Sequence, residues 1–182
     1  MQPVDKASWL ALLEEQVESH IQEAVQHFQN LDESTLCQPS LSGGWSIAQC
    51  LAHLNSYGHY YFPYLKQGLE RPLETTSNDT YVGSWLGTYV IRLMDPERSR
   101  IKFNAIKQHQ PTKPTSPHSV VAAFIDQQEL MLRLLKMARQ ADVNNSRIPL
   151  SIAACVRLPV GDILQFMVVH TKRHLIQAKR NM

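Results

Sequence analysis

Four stretches of this chain repeat apolar residues every three or four positions, and only the connection between the second and third is long. The first runs from about Asp5 to Asn30, with Trp9, Leu12, Leu13, Val17, Ile21, Ala24, Val25 and Phe28 on one stripe. Asp5 near its start suits the helix dipole. The second opens at Ser46, a natural N-cap, and Gln49 three residues on completes a capping box. It ends near Gly68, and Pro63 is expected to bend it or end it early. The third opens at Ser116-Pro117 and ends near Ala141. A turn then leads to the fourth, Pro159 to Asn181, where Ile163, Phe166, Met167, His170, His174 and Gln177 share a face. With only seven glycines and this periodicity, the expected fold class is all-α. At 182 residues the chain reads as a single domain over 1–182 with a real core.

Connection lengths select a topology. The first-to-second and third-to-fourth links are short and predict antiparallel neighbours; residues 70–118 are long enough to carry the chain back across a bundle. The expectation is a four-helix bundle with a long crossover between helices 2 and 3, running up-down-down-up. Pro72, Pro96, Pro111, Pro114 and Pro117 interrupt the crossover. Tyr81 to Met94 could form a short helix capped by Asp79 or Thr80, and Arg100 to Ile106 alternates like an extended piece. Trp85, Leu86, Tyr89, Val90, Ile91, Leu93 and Met94 are too apolar to face water and must cover the bundle flank, a pocket or a second subunit, as in a homodimer. The segment is expected to pack across the bundle end near the second and third helices and to supply a pocket wall.

His170 and His174 stand one turn apart on the inward face of the fourth helix, roughly 6 Å along its axis. Such a pair can hold a metal ion or belong to a buried polar network. His53 lies about 10 Å from the start of its helix, and His174 and His170 about 10 and 16 Å from the end of theirs. Antiparallel second and fourth helices, as the crossover topology requires, bring all three to one level. His20 and His27 read as surface or boundary residues, and Lys172, Arg173, Lys179 and Arg180 as a solvated face.

Several classes are excluded. A net charge of +2 gives no reason to expect nucleic acid or a membrane surface as partner. No run of 18 apolar residues is present, and the acidic start is unlike a signal peptide. Cys37, Cys50 and Cys155 are odd in number and form no CxxC pair, so a disulfide framework is not expected and a reducing cytoplasm fits. No Ser-His-Asp order, P-loop or dinucleotide motif occurs.

GGWSIAQCLAHL followed downstream by GDILQFMVVHTKRHLIQ resembles the DinB-like superfamily, which includes YfiT-type proteins. The matching positions are Ser46, His53, His170 and His174. The resemblance implies that His53, His170 and His174 bind one divalent metal ion. It further implies a thiol-dependent transferase or isomerase acting on a small-molecule substrate with a low-molecular-weight thiol, or a metal-dependent hydrolase. Three neutral nitrogens leave coordination positions open, as catalytic sites do. Zinc, nickel and iron all suit imidazole. An open position can lower the pKa of a bound water or a bound thiol, and the resemblance favours the thiol. A non-catalytic metal-binding stress-response bundle is the rival reading. Tyr57 and Tyr60 are the pocket candidates, Cys50 sits one turn before His53, and Gln49 and Gln177 could orient histidine nitrogens.

Overall fold

The first four helices each start where a short polar side chain takes up a free amide. Asp5 accepts from the Ser8 amide at 2.7 Å and caps α1, Lys6–His27. Asp32 caps the short α2, Glu33–Cys37, through the Thr35 amide. Ser46 and Gln49 form the reciprocal capping box that opens α3, Ile47–Leu69. Ser84 caps α4, Trp85–Met94; Pro117 opens α5, Pro117–Ala138; and α6 is Val160–Lys179. Two small antiparallel pairs complete the fold: β1, Val4–Asp5, with β2, Thr80–Tyr81, and the hairpin of β3, Arg147–Leu150, with β4, Ala153–Pro159. The computed structural model describes residues 2–40, 43–70, 79–101 and 103–182; positions 71–78 and 102 of the predicted crossover lie outside the described residues.

Contacts at the helix ends fix the directions of α1, α3, α5 and α6. Lys6 and Glu14 near the start of α1 meet Ala141 and Arg139 at the end of α5, so these two are antiparallel. Asn55 early in α3 donates to the Val120 carbonyl early in α5 at 3.0 Å, so these run parallel. Gly68 at the end of α3 lies against Val160 at the start of α6, and Trp45 before α3 accepts from Asn181 after α6 at 2.7 Å. α3 and α6 are therefore antiparallel, and the order is up-down-down-up. One expectation about neighbours fails. α1 and α3 each pack on both α5 and α6, so the short links join diagonal helices rather than adjacent ones. The reason lies in what the links contain. α2 packs on α3 and α5 and seals one bundle end with the buried Leu36; the β3–β4 hairpin packs on α3 at the other end. A link that carries its own folded element can span a diagonal.

The core falls into two apolar clusters. The larger includes Leu10, Val17, Tyr61, Leu65, Leu135 and Ile163; the smaller, near the α2 end, includes Phe28, Ile47, Leu51, Phe124 and Leu175. Pro63 does not end α3, because it lies on the exposed side with His59, where water can serve the carbonyl that lost its donor. Among the described residues no helix is long and apolar enough to cross a membrane.

The crossover departs most from expectation. α4 starts at Trp85 rather than Tyr81, because Tyr81 is held in β2, stacks on Trp9 at 4.0 Å and donates to Asp162 at 2.7 Å. No strand forms in the described part of 100–106. α4 does not cross the bundle end at the second and third helices. It lies along α6, through Ile91 and through Gly87 against Asp162. Trp85 is 81% exposed and Tyr89 54% exposed, and their rings stack on each other at 6.2 Å. A farther turn of the crossover, the 3-10 helix Lys107–His109, does reach α3.

The fully buried Asp162 also accepts from the Ser84 amide at 3.2 Å and from the Ser84 hydroxyl, so it pins the start of α4 to the start of α6. A Cβ on Gly87 would come 2.1 Å from its carboxylate and 2.7 Å from its Cβ. Gly87→Ala is expected to lower unfolding stability by about 1–3 kcal/mol, read from the urea midpoint, because the carboxylate must leave its donors.

Candidate metal centre

The capping box at Ser46 fixes where α3 begins, and seven residues later the helix delivers His53 inward. α6 runs the other way and presents His170 and His174 from successive turns. The three rings meet between the two apolar clusters. His53 Nε2 lies 3.4 Å from His170 Nε2, and His174 Nε2 lies 3.1 Å from the same atom. All three ligand atoms fall within 4.8 Å of one another. His53 and His170 are buried and His174 is half-buried.

Proton counting shows what these nitrogens offer. His53 Nδ1 faces the His109 carbonyl at 2.7 Å and must donate to it, since a carbonyl only accepts. His174 Nδ1 likewise donates to Gln177 Oε1 at 3.0 Å. Both therefore present a bare Nε2 lone pair to His170. Among the described residues, His170 Nδ1 is buried without a partner. A proton on His170 Nε2 could serve one of the two facing lone pairs but would leave its own Nδ1 lone pair bare. Three convergent nitrogens with two lone pairs already committed fit a divalent cation, which imidazole nitrogen binds in its neutral form. Burial keeps them neutral: it pushes His53 down to about 4 and His174 down to about 3, and it holds His170 well below the ordinary histidine value.

Aromatic rings wall the cluster. Trp45 lies 4.8 Å from the His53 ring and stacks on His174 at 5.8 Å. Tyr57 packs on His53, His170 and His109 at 5.0, 4.5 and 3.9 Å between centroids. Phe166 stacks on His170 at 5.2 Å. Burial pushes the Tyr57 hydroxyl up to about 12, so it stays protonated at neutral pH. Tyr60, the other predicted pocket residue, reaches only the His109 ring, at 6.2 Å, and packs on Tyr61 and Tyr64. Gln177 orients a histidine as expected, but Gln49 is spent on the cap. Cys50 is buried in the smaller cluster, its thiol pushed up to about 12 by burial, and does not join the histidines. His20, expected at the surface or its boundary, is buried beside Gln128; burial pushes it down to about 4, and it lies outside the cluster, as expected of a residue that is no ligand.

Two further residues shape the site. Trp45 stands one residue before the Ser46 cap, and its ring lies over those of His53 and His174. His109 had no sequence signal, because it sits in an aperiodic stretch far from either motif. The basic residues after His170 are also not a plain solvated face. Lys172 pairs with Glu97. Arg173 donates to the carbonyls of Leu93, Met94, Ser99 and Ile101, fastening the crossover onto the histidine-bearing helix.

The protein is thus a helical bundle with an up-down-down-up course in which three neutral imidazoles, converging from two antiparallel helices, form a group that could hold a metal ion. The chain matches the DinB superfamily model over residues 16–178, which include all three histidines, and it belongs to that superfamily. Among solved structures it is similar to YfiT from Bacillus subtilis, described as a probable metal-dependent hydrolase with an unusual four-helix bundle topology. The two share 17% identity and a TM-score of 0.56, over 97% of this chain and 85% of that one, a likeness of fold. No curated protein sequence matches the chain.

Acid should destabilise the metal-free protein early. His20, His53 and His174 bind protons less tightly in the folded chain than in the unfolded one, where histidine titrates near 6.5. The unfolded chain therefore takes up protons first as pH falls, and stability present above 6.5 is lost progressively toward the folded values near 3 to 4. The urea midpoint is expected to be level from pH 7 to 8 and to fall steadily between about pH 6.5 and 4. A level midpoint down to about pH 5 would mean the imidazoles are not desolvated.

Proposed function

We propose that the chain is a metal-dependent enzyme in which His53, His170 and His174 hold one divalent ion, zinc, nickel or iron, and that it transfers a low-molecular-weight thiol to a small electrophilic substrate. The convergence of three bare or baring Nε2 atoms carries this reading. A divalent ion held by neutral imidazoles supplies Lewis acidity and lowers the pKa of a bound thiol or water.

The chain's own residues favour the thiol. Among the described residues no carboxylate joins the three imidazoles as a possible ligand. A nucleophile whose proton leaves readily needs none, and a thiol with an ordinary pKa near 8.5 suits that better than water. Trp45 and Tyr57 exclude water from two sides, and the half-buried side of His174 leaves the approach for substrate. Among the described residues neither Cys50 nor His20 closes the site as a fourth ligand, which speaks for catalysis over a sealed, non-catalytic centre. Hydrolysis is the second reading, favoured by the description of the YfiT structure as a probable metal-dependent hydrolase.

Untagged protein purified without chelator is expected to carry one divalent ion per chain by elemental analysis. His170→Ala should abolish this while the circular dichroism spectrum stays helical. Nickel or cobalt added to the metal-free protein should quench Trp45 fluorescence, and Trp45→Phe should remove that quench. Turnover of electrophiles with one thiol of a panel, dependent on metal, would support the transferase; turnover in water alone would move the assignment to hydrolase. Silence with metal bound would make the protein a metal-binding bundle.

A further inference from the structure

His109 belongs to none of the long helices, yet it is 2% exposed. Its backbone carbonyl accepts the Nδ1 proton of His53 at 2.7 Å. Its side chain is held twice. The ring lies against Tyr57 at 3.9 Å, and its Nδ1 meets Ser56 Oγ at 2.9 Å. The Ser56 hydroxyl has a single proton, and that proton goes to the His53 carbonyl at 2.7 Å. Ser56 therefore accepts from His109, and the His109 side chain is a donor anchored one turn along the helix from the histidine that its carbonyl serves.

We propose that His109 is a positioning residue of the metal centre: anchored by Ser56, it presents the backbone carbonyl that keeps His53 protonated on Nδ1 and bare on Nε2. This rests on the three-histidine metal reading above. A neutral imidazole without such a partner can carry its proton on either nitrogen, and only one tautomer binds a metal through Nε2. The three histidines are unequally supported. His174 has Gln177, His53 has the His109 carbonyl from the crossover, and His170 has, among the described residues, no polar partner at Nδ1 and is held between the Phe166 and Tyr57 rings. The crossover thus contributes to the site through one carbonyl, although its apolar helix α4 lies elsewhere. Partners of this kind typically change metal affinity by about 10–100-fold when lost.

The test compares wild type with His109→Phe, which keeps a flat ring for Tyr57 but cannot donate, His109→Asn, which restores a donor, and Ser56→Ala, which removes the acceptor and leaves the ring. Long-range proton–nitrogen NMR of the metal-free wild type at neutral pH should show His53 protonated on Nδ1. In His109→Phe and Ser56→Ala that signature should become mixed, and zinc affinity measured by chelator competition should fall about 10-fold or more. His109→Asn should recover most of both. Wild-type affinity and an unchanged His53 signature in His109→Phe and Ser56→Ala would overturn the proposal. So would weaker zinc binding with the signature intact, since that marks a general structural role. Failure of the wild type itself to bind zinc, nickel or cobalt would sink the metal reading instead, and the metal-free NMR would still show whether the carbonyl sets the tautomer.

Discussion

Everything around the site answers one constraint: three imidazoles are taken out of water together. A lone polar group buried without a partner costs a few kcal/mol, and a charged one far more. The chain meets this by keeping the rings neutral and giving two of them a directed acceptor. Those acceptors turn both free lone pairs inward. The same burial that makes the rings poor bases makes them available as ligands, because no proton competes for them at neutral pH. Aromatic walls on several sides extend the dry region without adding charge.

The unusual course of the bundle follows from the same need. Ligands two turns into one helix and near the end of another meet only when those helices run in opposite directions. With four helices and two short links, that requires the second and third to run in parallel, and so requires a crossover. The crossover is tied down at separate points rather than packed as a fifth helix: Asp162 receives its first turn, Arg173 gathers its carbonyls, and His109 ends it against α3. Two of these three anchors sit on α6 itself.

Much of this was legible from residue order. The cap at Ser46, the apolar stripes and the His-x-x-x-His spacing are local features, and local features survive into the fold. The level-matching of His53 with His170 and His174 used only helix rise and direction. What was not legible depends on contacts between distant segments. Tyr81 left the predicted helix because Trp9 and Asp162 hold it. His20 is buried because α5 supplies Gln128 beside it. The β3–β4 hairpin stands where only a turn is expected, because Ile148, Leu150 and Leu158 are buried against the ends of the long helices. Links expected to join neighbours join diagonals because small folded elements inside them set the span. His109 could not be found at all, since it acts through its backbone and no residue type announces that.

The capping box of α3 has a consequence for how the chain can vary in length. Ser46 fixes where the helix starts counting, and His53 stands close to two whole turns further on. A single residue gained or lost between them would leave the cap and the helical conformation in place, but would turn every later residue of the helix about its axis. It would swing the imidazole by about 100° around the axis, out of the cluster and into an apolar neighbour. The helix therefore works as a ruler with its zero mark at the serine, and along that stretch the count of residues matters as much as their identity.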